Sequence, residues 1–355
     1  IFSPTDVQIS SGGVPISEGV AIEIGGAFED LGIEDRHTVI VDFGDGTVVG
    51  PLPVVFGQST FSGIQHTYLD DPDGNDDTYN ITVSIDDGTE VVSVTKPIVV
   101  PNFVPNVSLR HRDADATGVT VGAVIEDLGA NDRQQYEWIV DNVPLDSGSL
   151  EPGQPVPDLR FPNPNGSVEI IFRSTDDDGG KGETRVQYFV LSEFDDAVEV
   201  IATGTNSLEV SVLSQGTTTT ESVANVEQVI IAAEGGNDQI TVSPTTIPIQ
   251  VNAGGGDDSV TTSGGNDTVI GGPGADTIST GDGDDLLVSD EGDDVLDGGS
   301  GNDVYSFISF SDKTLQDNGG VDTLNFSLVS QGTGEVDGIT IDLSVDDGTQ
   351  QQVHS

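Results

Sequence analysis

The sequence predicts an all-β protein: two immunoglobulin-like β-sandwich units followed by a parallel β-solenoid. Three observations carry that prediction. Val/Ile/Thr-rich stretches alternate apolar and polar residues with a period of two. Gly, Asp and Pro turns separate these stretches about every ten residues. Toward the C-terminus a nine-residue unit repeats without a gap. Helical periodicity is missing throughout.

Composition narrows the function. The chain has 355 residues, of which 62 are acidic and 10 basic, for a net charge of −52. Such an excess repels nucleic acid and anionic membrane surfaces and favours a partner that is itself a cation. A chain this acidic is disordered when its apolar content is low, but here 34% of residues are hydrophobic and fall in strand-like runs. Cysteine and methionine are both absent. That rules out disulfides, zinc–thiolate sites and thiol redox chemistry, and leaves bound metal as a means of holding the fold outside a cell. No apolar run approaches the length of a membrane span. The opening Ile1-Phe2-Ser3-Pro4-Thr5-Asp6 lacks the basic and apolar regions of a signal peptide. With no initiator Met and an end at Gln351-Gln352-Val353-His354-Ser355, the expectation is a processed form or a piece of a longer chain.

The first unit, residues 1–102, contains Val39-Ile40-Val41, Tyr79 to Ile85 and Glu90 to Val94 as alternating strands. The second, residues 103–192, continues the pattern with Val119 to Ile125, Tyr136 to Val140 and Val168 to Phe172. Between them, Pro97 to Pro105 reads as a short, stiff linker. The first unit carries Asp42-Phe43-Gly44-Asp45-Gly46, then His66-Thr67-Tyr68, then a Tyr79-to-Ile85 strand closed by Asp86-Asp87-Gly88. On these elements it resembles the PKD (polycystic kidney disease) domain, an immunoglobulin-like sandwich. It departs from that family in having Val41 where a Trp is usual. The second unit, with Tyr136-Glu137-Trp138-Ile139-Val140-Asp141 and a closing Asp176-Asp177-Asp178-Gly179-Gly180, resembles a degenerate member. The resemblance implies a spacer or adhesion module, and Asp42 to Gly46 itself reads as a tight turn. The acidic loop Asp70-Asp71-Pro72-Asp73-Gly74-Asn75-Asp76-Asp77 is a weak metal candidate, because it lacks the ordered spacing and closing Glu of an EF-hand.

The third unit, residues 193–355, holds the sharpest signal. From Ala253 to Ser306 the chain divides into AGGGDDSVT, TSGGNDTVI, GGPGADTIS, TGDGDDLLV, SDEGDDVLD and GGSGNDVYS. The fourth position is always glycine: Gly256, Gly265, Gly274, Gly283, Gly292 and Gly301. The sixth is always aspartate: Asp258, Asp267, Asp276, Asp285, Asp294 and Asp303. The eighth is always apolar: Val260, Val269, Ile278, Leu287, Leu296 and Tyr305. An isolated earlier copy, AEGGNDQIT from Ala233, supplies Gly236, Asp238 and Ile240, and is separated from the array by Val242 to Asn252.

This unit resembles the nonapeptide of RTX (repeats-in-toxin) proteins, which implies a calcium-binding parallel β-roll. Each repeat is a six-residue loop followed by a three-residue strand that turns its eighth residue inward. Two repeats make one coil, so loop aspartates of alternate repeats stack roughly 4.8 Å apart along each edge. Two carboxylates at that spacing repel by very roughly 3 kcal/mol at an effective dielectric near 20. Residues 253–306 contain 13 acidic residues and no Lys or Arg, so neutralisation is expected to come from an external cation. Carboxylates and glycine carbonyls form an all-oxygen shell that suits several Ca²⁺ ions better than Mg²⁺. The family geometry implies sites between Asp258 and Asp276, Asp276 and Asp294, Asp267 and Asp285, and Asp285 and Asp303, with Asp238 near the start of the roll. The fifth-position acids Asp257, Asp284 and Asp293 read mainly as a solvated edge. Asp195 to Ala232 is expected to begin and cap the roll, and Asp317 to Ser344 to cap its far end or lead to another.

Catalysis is not expected. There is no HExxH helix or GxSxG elbow, and the four histidines (His37, His66, His111, His354) are dispersed. The main expectation is a calcium-rigidified structural or adhesive protein of a bacterial cell surface, surface layer or filament, able to self-associate and exported unfolded through calcium-poor cytoplasm. Two alternatives stand beside it. One is a secretion and folding appendage of a larger secreted enzyme or toxin. The other is a carbohydrate- or matrix-binding region, which would need an exposed aromatic platform although Trp138 is the sole tryptophan.

Overall fold

The computed structural model describes residues 5–29, 36–69, 77–102, 104–115, 117–126, 133–164, 166–177, 179–309, 311–317, 319–326 and 339–342. Every regular element among them is a β-strand, and no helix is long and apolar enough to cross a membrane.

The first sandwich is built from β1 (Thr5–Ser10), β2 (Ala21–Ala27), β3 (Thr38–Asp42), β4 (Val48–Pro53), β5 (Thr60–Thr67), β6 (Asp77–Asp86) and β7 (Val91–Val100). A three-stranded sheet, β1-β2-β5, faces a four-stranded one, β4-β3-β6-β7. The period-two alternation explains the packing: Ile22 and Ile24 of one sheet meet Val39, Val41, Ile81, Val83 and Ile85 of the other in one buried cluster. Pro97, read from sequence as the start of a linker, instead lies inside β7 opposite Asn80. β7 is an edge strand, where a residue without an N–H breaks no ladder.

The second sandwich comprises β8 (Asn106–Asp115), β9 (Gly118–Glu126), β10 (Gln134–Val140), β11 (Val143–Leu150), β12 (Leu159–Phe161), β13 (Ser167–Thr175) and β14 (Lys181–Val190). Its core buries Trp138 completely, edge-on to Phe172 with 4.6 Å between ring centroids. The tryptophan is therefore a packing residue and offers no aromatic platform.

This sandwich and the solenoid share one continuous sheet. A hairpin meander, β15 (Asp196–Gly204), β16 (Ser207–Ser214) and β17 (Thr217–Ala224), leads to β18 (Gln228–Ala232). β18 pairs in parallel with β14, extending the sheet β11-β10-β13-β14 into one face of the solenoid. Its alternate side chains serve two cores: Ile230 and Ala232 join the sandwich, and Val229 and Ile231 join the solenoid. Past β18, short parallel strands stack at intervals of two repeats, Thr268–Ile270 on Leu286–Ser289 and Ser259–Thr261 on Thr277–Ser279, for example. Val260, Val269, Ile278, Leu287, Leu296 and Tyr305 line the interior, each with 1% exposure or less.

Candidate metal centre

The sixth-position aspartates lie inside the two edges of the roll. Asp238, Asp258, Asp267, Asp276, Asp285, Asp294 and Asp303 are all at most 3% exposed. On one edge the N–H of Asp238 donates to Asp258 Oδ1 (2.7 Å), that of Asp258 to Asp276 Oδ1 (3.0 Å), and that of Asp276 to Asp294 Oδ1 (3.0 Å). On the other, the N–H of Asp267 donates to Asp285 Oδ1 (2.7 Å) and that of Asp285 to Asp303 Oδ1 (2.9 Å). One carboxylate oxygen of each rung is thus spent on the backbone of the rung before it. The other oxygen, Oδ2, is buried without a hydrogen-bond partner in Asp238, Asp258, Asp267, Asp276, Asp285 and Asp303. An unmatched buried acceptor costs about 1–3 kcal/mol, and a row of them in register is a donor set that a cation would satisfy.

The glycines complete the cradle. At the fourth position φ is positive throughout, from +106° at Gly265 to +145° at Gly274. A Cβ on Gly274 would lie 1.8 Å from Gly256 O, and one on Gly292 1.7 Å from Gly274 O. Gly283 and Gly301 stand in the same relation to Gly265 O and Gly283 O, at 1.9 and 1.8 Å. The carbonyls of successive loops therefore stack where any side chain would block them. Buried oxygens from carboxylates and carbonyls, with no nitrogen or sulfur donor, fit a hard cation such as Ca²⁺.

Burial pushes Asp238, Asp267, Asp276 and Asp303 up to about 7, and Asp258 to about 6. The charges of stacked neighbours add to this: Asp294 and Asp258 act on Asp276, and Asp285 and Asp322 on Asp303. Backbone N–H donors oppose the rise but do not cancel it.

Four residues of the ladders were not among the sequence candidates. Asp196 adds a rung before Asp238, its N–H donating to Asp238 Oδ1 at 2.7 Å. Asp322 adds one after Asp303, accepting the Asp303 N–H at 2.9 Å and leaving its own Oδ2 buried and unmatched. Asp317 brings a third carboxylate to that end, so that oxygens of Asp303, Asp317 and Asp322 lie within 4.8 Å of one another. The fourth is Lys313, which corrects the expectation that no cation of the chain reaches the ladder. Its Nζ is 2.6 Å from Asp294 Oδ2 and fully buried. Lys313 lies outside the span 253–306 on which that expectation rested, and the next parallel coil sets it opposite Asp294.

The fifth-position residues do more than solvate the edge. Asp257 Oδ1 accepts the Ala275 N–H at 2.9 Å, Asp284 Oδ1 accepts that of Asn302 at 2.8 Å, and Asn266 Oδ1 accepts that of Asp284 at 3.1 Å. Asn and Asp both occur at this position because either supplies the acceptor, whereas Ala275 supplies none. Of the other candidate metal loop, residues 70–76 lie outside the described residues. His66 packs as expected: it stacks on Phe43 at 4.2 Å, meets Tyr68 edge-on at 4.6 Å, and bonds Asp45 Oδ2 through Nε2 at 2.7 Å.

The family model of the RTX calcium-binding nonapeptide repeat matches residues 250–278 and 270–305. The C-terminal solenoid is an RTX β-roll. No curated protein matches the chain. Among solved structures, those similar to the chain are of low identity and low TM-score. The fibronectin(III)-like modules of CbhA from Clostridium thermocellum are 16% identical, covering 51% of this chain and 93% of that one, with a TM-score of 0.21. A two-domain fibronectin type III segment of chicken tenascin is 11% identical, covering 52% and 97%, with a TM-score of 0.31. A tetra-tandem repeat from the extending region of a large adhesion protein is also 11% identical, covering 62% and 63%, with a TM-score of 0.31. The sandwich assignment rests on the strand pairing described above.

Proposed function

We propose that this chain is a non-catalytic, calcium-folded structural or adhesive protein of a bacterial cell surface, surface layer or extracellular filament. Its units are 1–102 and 103–192 as spacers and 193–355 as the ion-bound roll. The observation that carries this reading is the register of buried, half-satisfied carboxylates against glycine carbonyls. Ca²⁺ would be held between alternate repeats by the Oδ atoms of Asp258, Asp267, Asp276, Asp285 and Asp303, and by Asp294 through Oδ1 alone, since its Oδ2 is taken by Lys313 and Ser289. Asp238 would serve at the roll's start, and the loops of Gly256, Gly265, Gly274, Gly283, Gly292 and Gly301 would turn carbonyls inward. Bound calcium supplies the positive charge that lets stacked carboxylates sit in a low-dielectric interior. Without it the aspartates repel and the thin apolar row cannot hold the coils together. That dependence suits export: the roll stays open where calcium is scarce and closes outside, where it is plentiful.

The test is a calcium titration of the chelator-treated full chain, following far-UV circular dichroism and particle size together. The reading expects β signal to grow with calcium and particles to enlarge into sheets or fibres. Folding without growth would replace self-assembly by a monomeric appendage of a larger secreted protein. A β signal indifferent to calcium would sink the ion-stapled roll altogether.

A further inference from the structure

Along one edge the rungs run Asp238, Asp258, Asp276, Asp294, and the next residue in strand register, directly opposite Asp294, is Lys313. The chain has thus placed a cation at the rung where the ladder would next present an aspartate. The Lys313 ammonium donates to three oxygens: Asp290 O at 2.6 Å, Gly292 O at 2.8 Å and Asp294 Oδ2 at 2.6 Å. Asp290, Gly292 and Asp294 are the second, fourth and sixth residues of one nonapeptide. The Lys and Asp side chains are 0% and 1% exposed.

We infer that Lys313 is a built-in substitute for a calcium ion, occupying one cation position on this edge of the roll. The inference rests on the calcium reading above and goes beyond it by assigning one position to the protein itself. Two carbonyls and a carboxylate are donors a hard cation would take, and an ammonium offers three N–H groups to the same three oxygens. Asp294 differs accordingly from its neighbours. The Oδ2 atoms of Asp238, Asp258 and Asp276 on the same edge have no partner, whereas Asp294 Oδ2 has the ammonium and the Ser289 hydroxyl. The opposite edge carries carboxylates instead, those of Asp303, Asp317 and Asp322. A tethered ammonium cannot be diluted or chelated, so this position is neutralised at every calcium concentration, and the edge carries one ion fewer than its loops alone would hold.

Calcium bound per full-length chain, counted by equilibrium dialysis and atomic emission, tests this in the wild type, K313D and K313A. K313D restores an acidic rung and is expected to bind one more ion than wild type at saturating calcium. K313A merely vacates the position and is expected to gain the same ion at higher free calcium. If K313D does not fold, K313A decides. A count equal to wild type in the folded variants overturns the role of Lys313. A wild type that binds no calcium overturns the calcium reading instead, so the two failures are distinguishable.

Discussion

The first sandwich and the roll solve the same problem, an all-β chain with few cations, by opposite means. The sandwich buries aliphatic side chains from both sheets against each other and keeps its aspartates at turns, where Asp42 and Asp45 accept the N–H groups of Gly44 and Thr47 at 2.9 and 2.8 Å. The roll buries one apolar side chain per nonapeptide and, beside it, one carboxylate. In the first, stability resides in side-chain packing. In the second it resides in backbone geometry and in charge supplied from elsewhere.

The largest expected separation between them is with pH in the absence of calcium. Asp238, Asp258, Asp267, Asp276 and Asp303 have folded-state values raised from 3.8 to about 6–7. A raised value stabilises the fold when the group is protonated, and that contribution is lost as pH rises through the folded value. In chelator the roll's β signal should therefore be strongest near pH 4 and fade toward pH 7, while calcium affinity runs the opposite way because protons compete for the same oxygens. Circular dichroism against pH with and without calcium checks this. A chelated roll equally folded at both ends of the range would break the contrast.

Glycine substitutions come next. Gly292→Ala adds backbone strain at φ +125° and drives a Cβ to within 1.7 Å of Gly274 O, so the coils must part. A loss of more than about 3 kcal/mol in calcium is expected. Gly88→Ala in the sandwich has φ +84° but open space around the Cβ, and should cost only about 1 kcal/mol. Denaturant unfolding of each variant measures both, and equal costs would mean that loop stacking is not what the glycines serve.

His66→Ala removes two ring contacts and the bond to Asp45, for about 1–2 kcal/mol in the first sandwich. The calcium midpoint of the roll should stay where it is. A shift of that midpoint, read by titration, would show that the sandwich and the roll are energetically linked.

Where the period was strict, sequence reasoning located the structure: the fourth, sixth and eighth positions could be placed from Ala253 to Ser306 because each coil repeats every 18 residues. Where the spacing slips, it did not. Asp322 lies 19 residues after Asp303, and Lys313 lies 19 after Asp294, so a strict nine-residue frame passes over both. Asp196 is 42 residues before Asp238, across the β15–β17 meander. In the break from Val242 to Asn252 there is no loop aspartate, yet the ladder continues because the Ile249 N–H donates to Asp267 Oδ1 at 2.8 Å. β18 escaped for another reason: burial on both faces erases the alternation that reveals a half-buried strand.

That doubly buried strand has a consequence for how the roll is built. A solenoid coil made in isolation must close a loop and order its strands before any neighbour rewards it. Here the second sandwich holds out a finished edge, β14 and then β18, on which the first coil can be laid. The fold thus gives the first coil a partner that the later coils find only in one another.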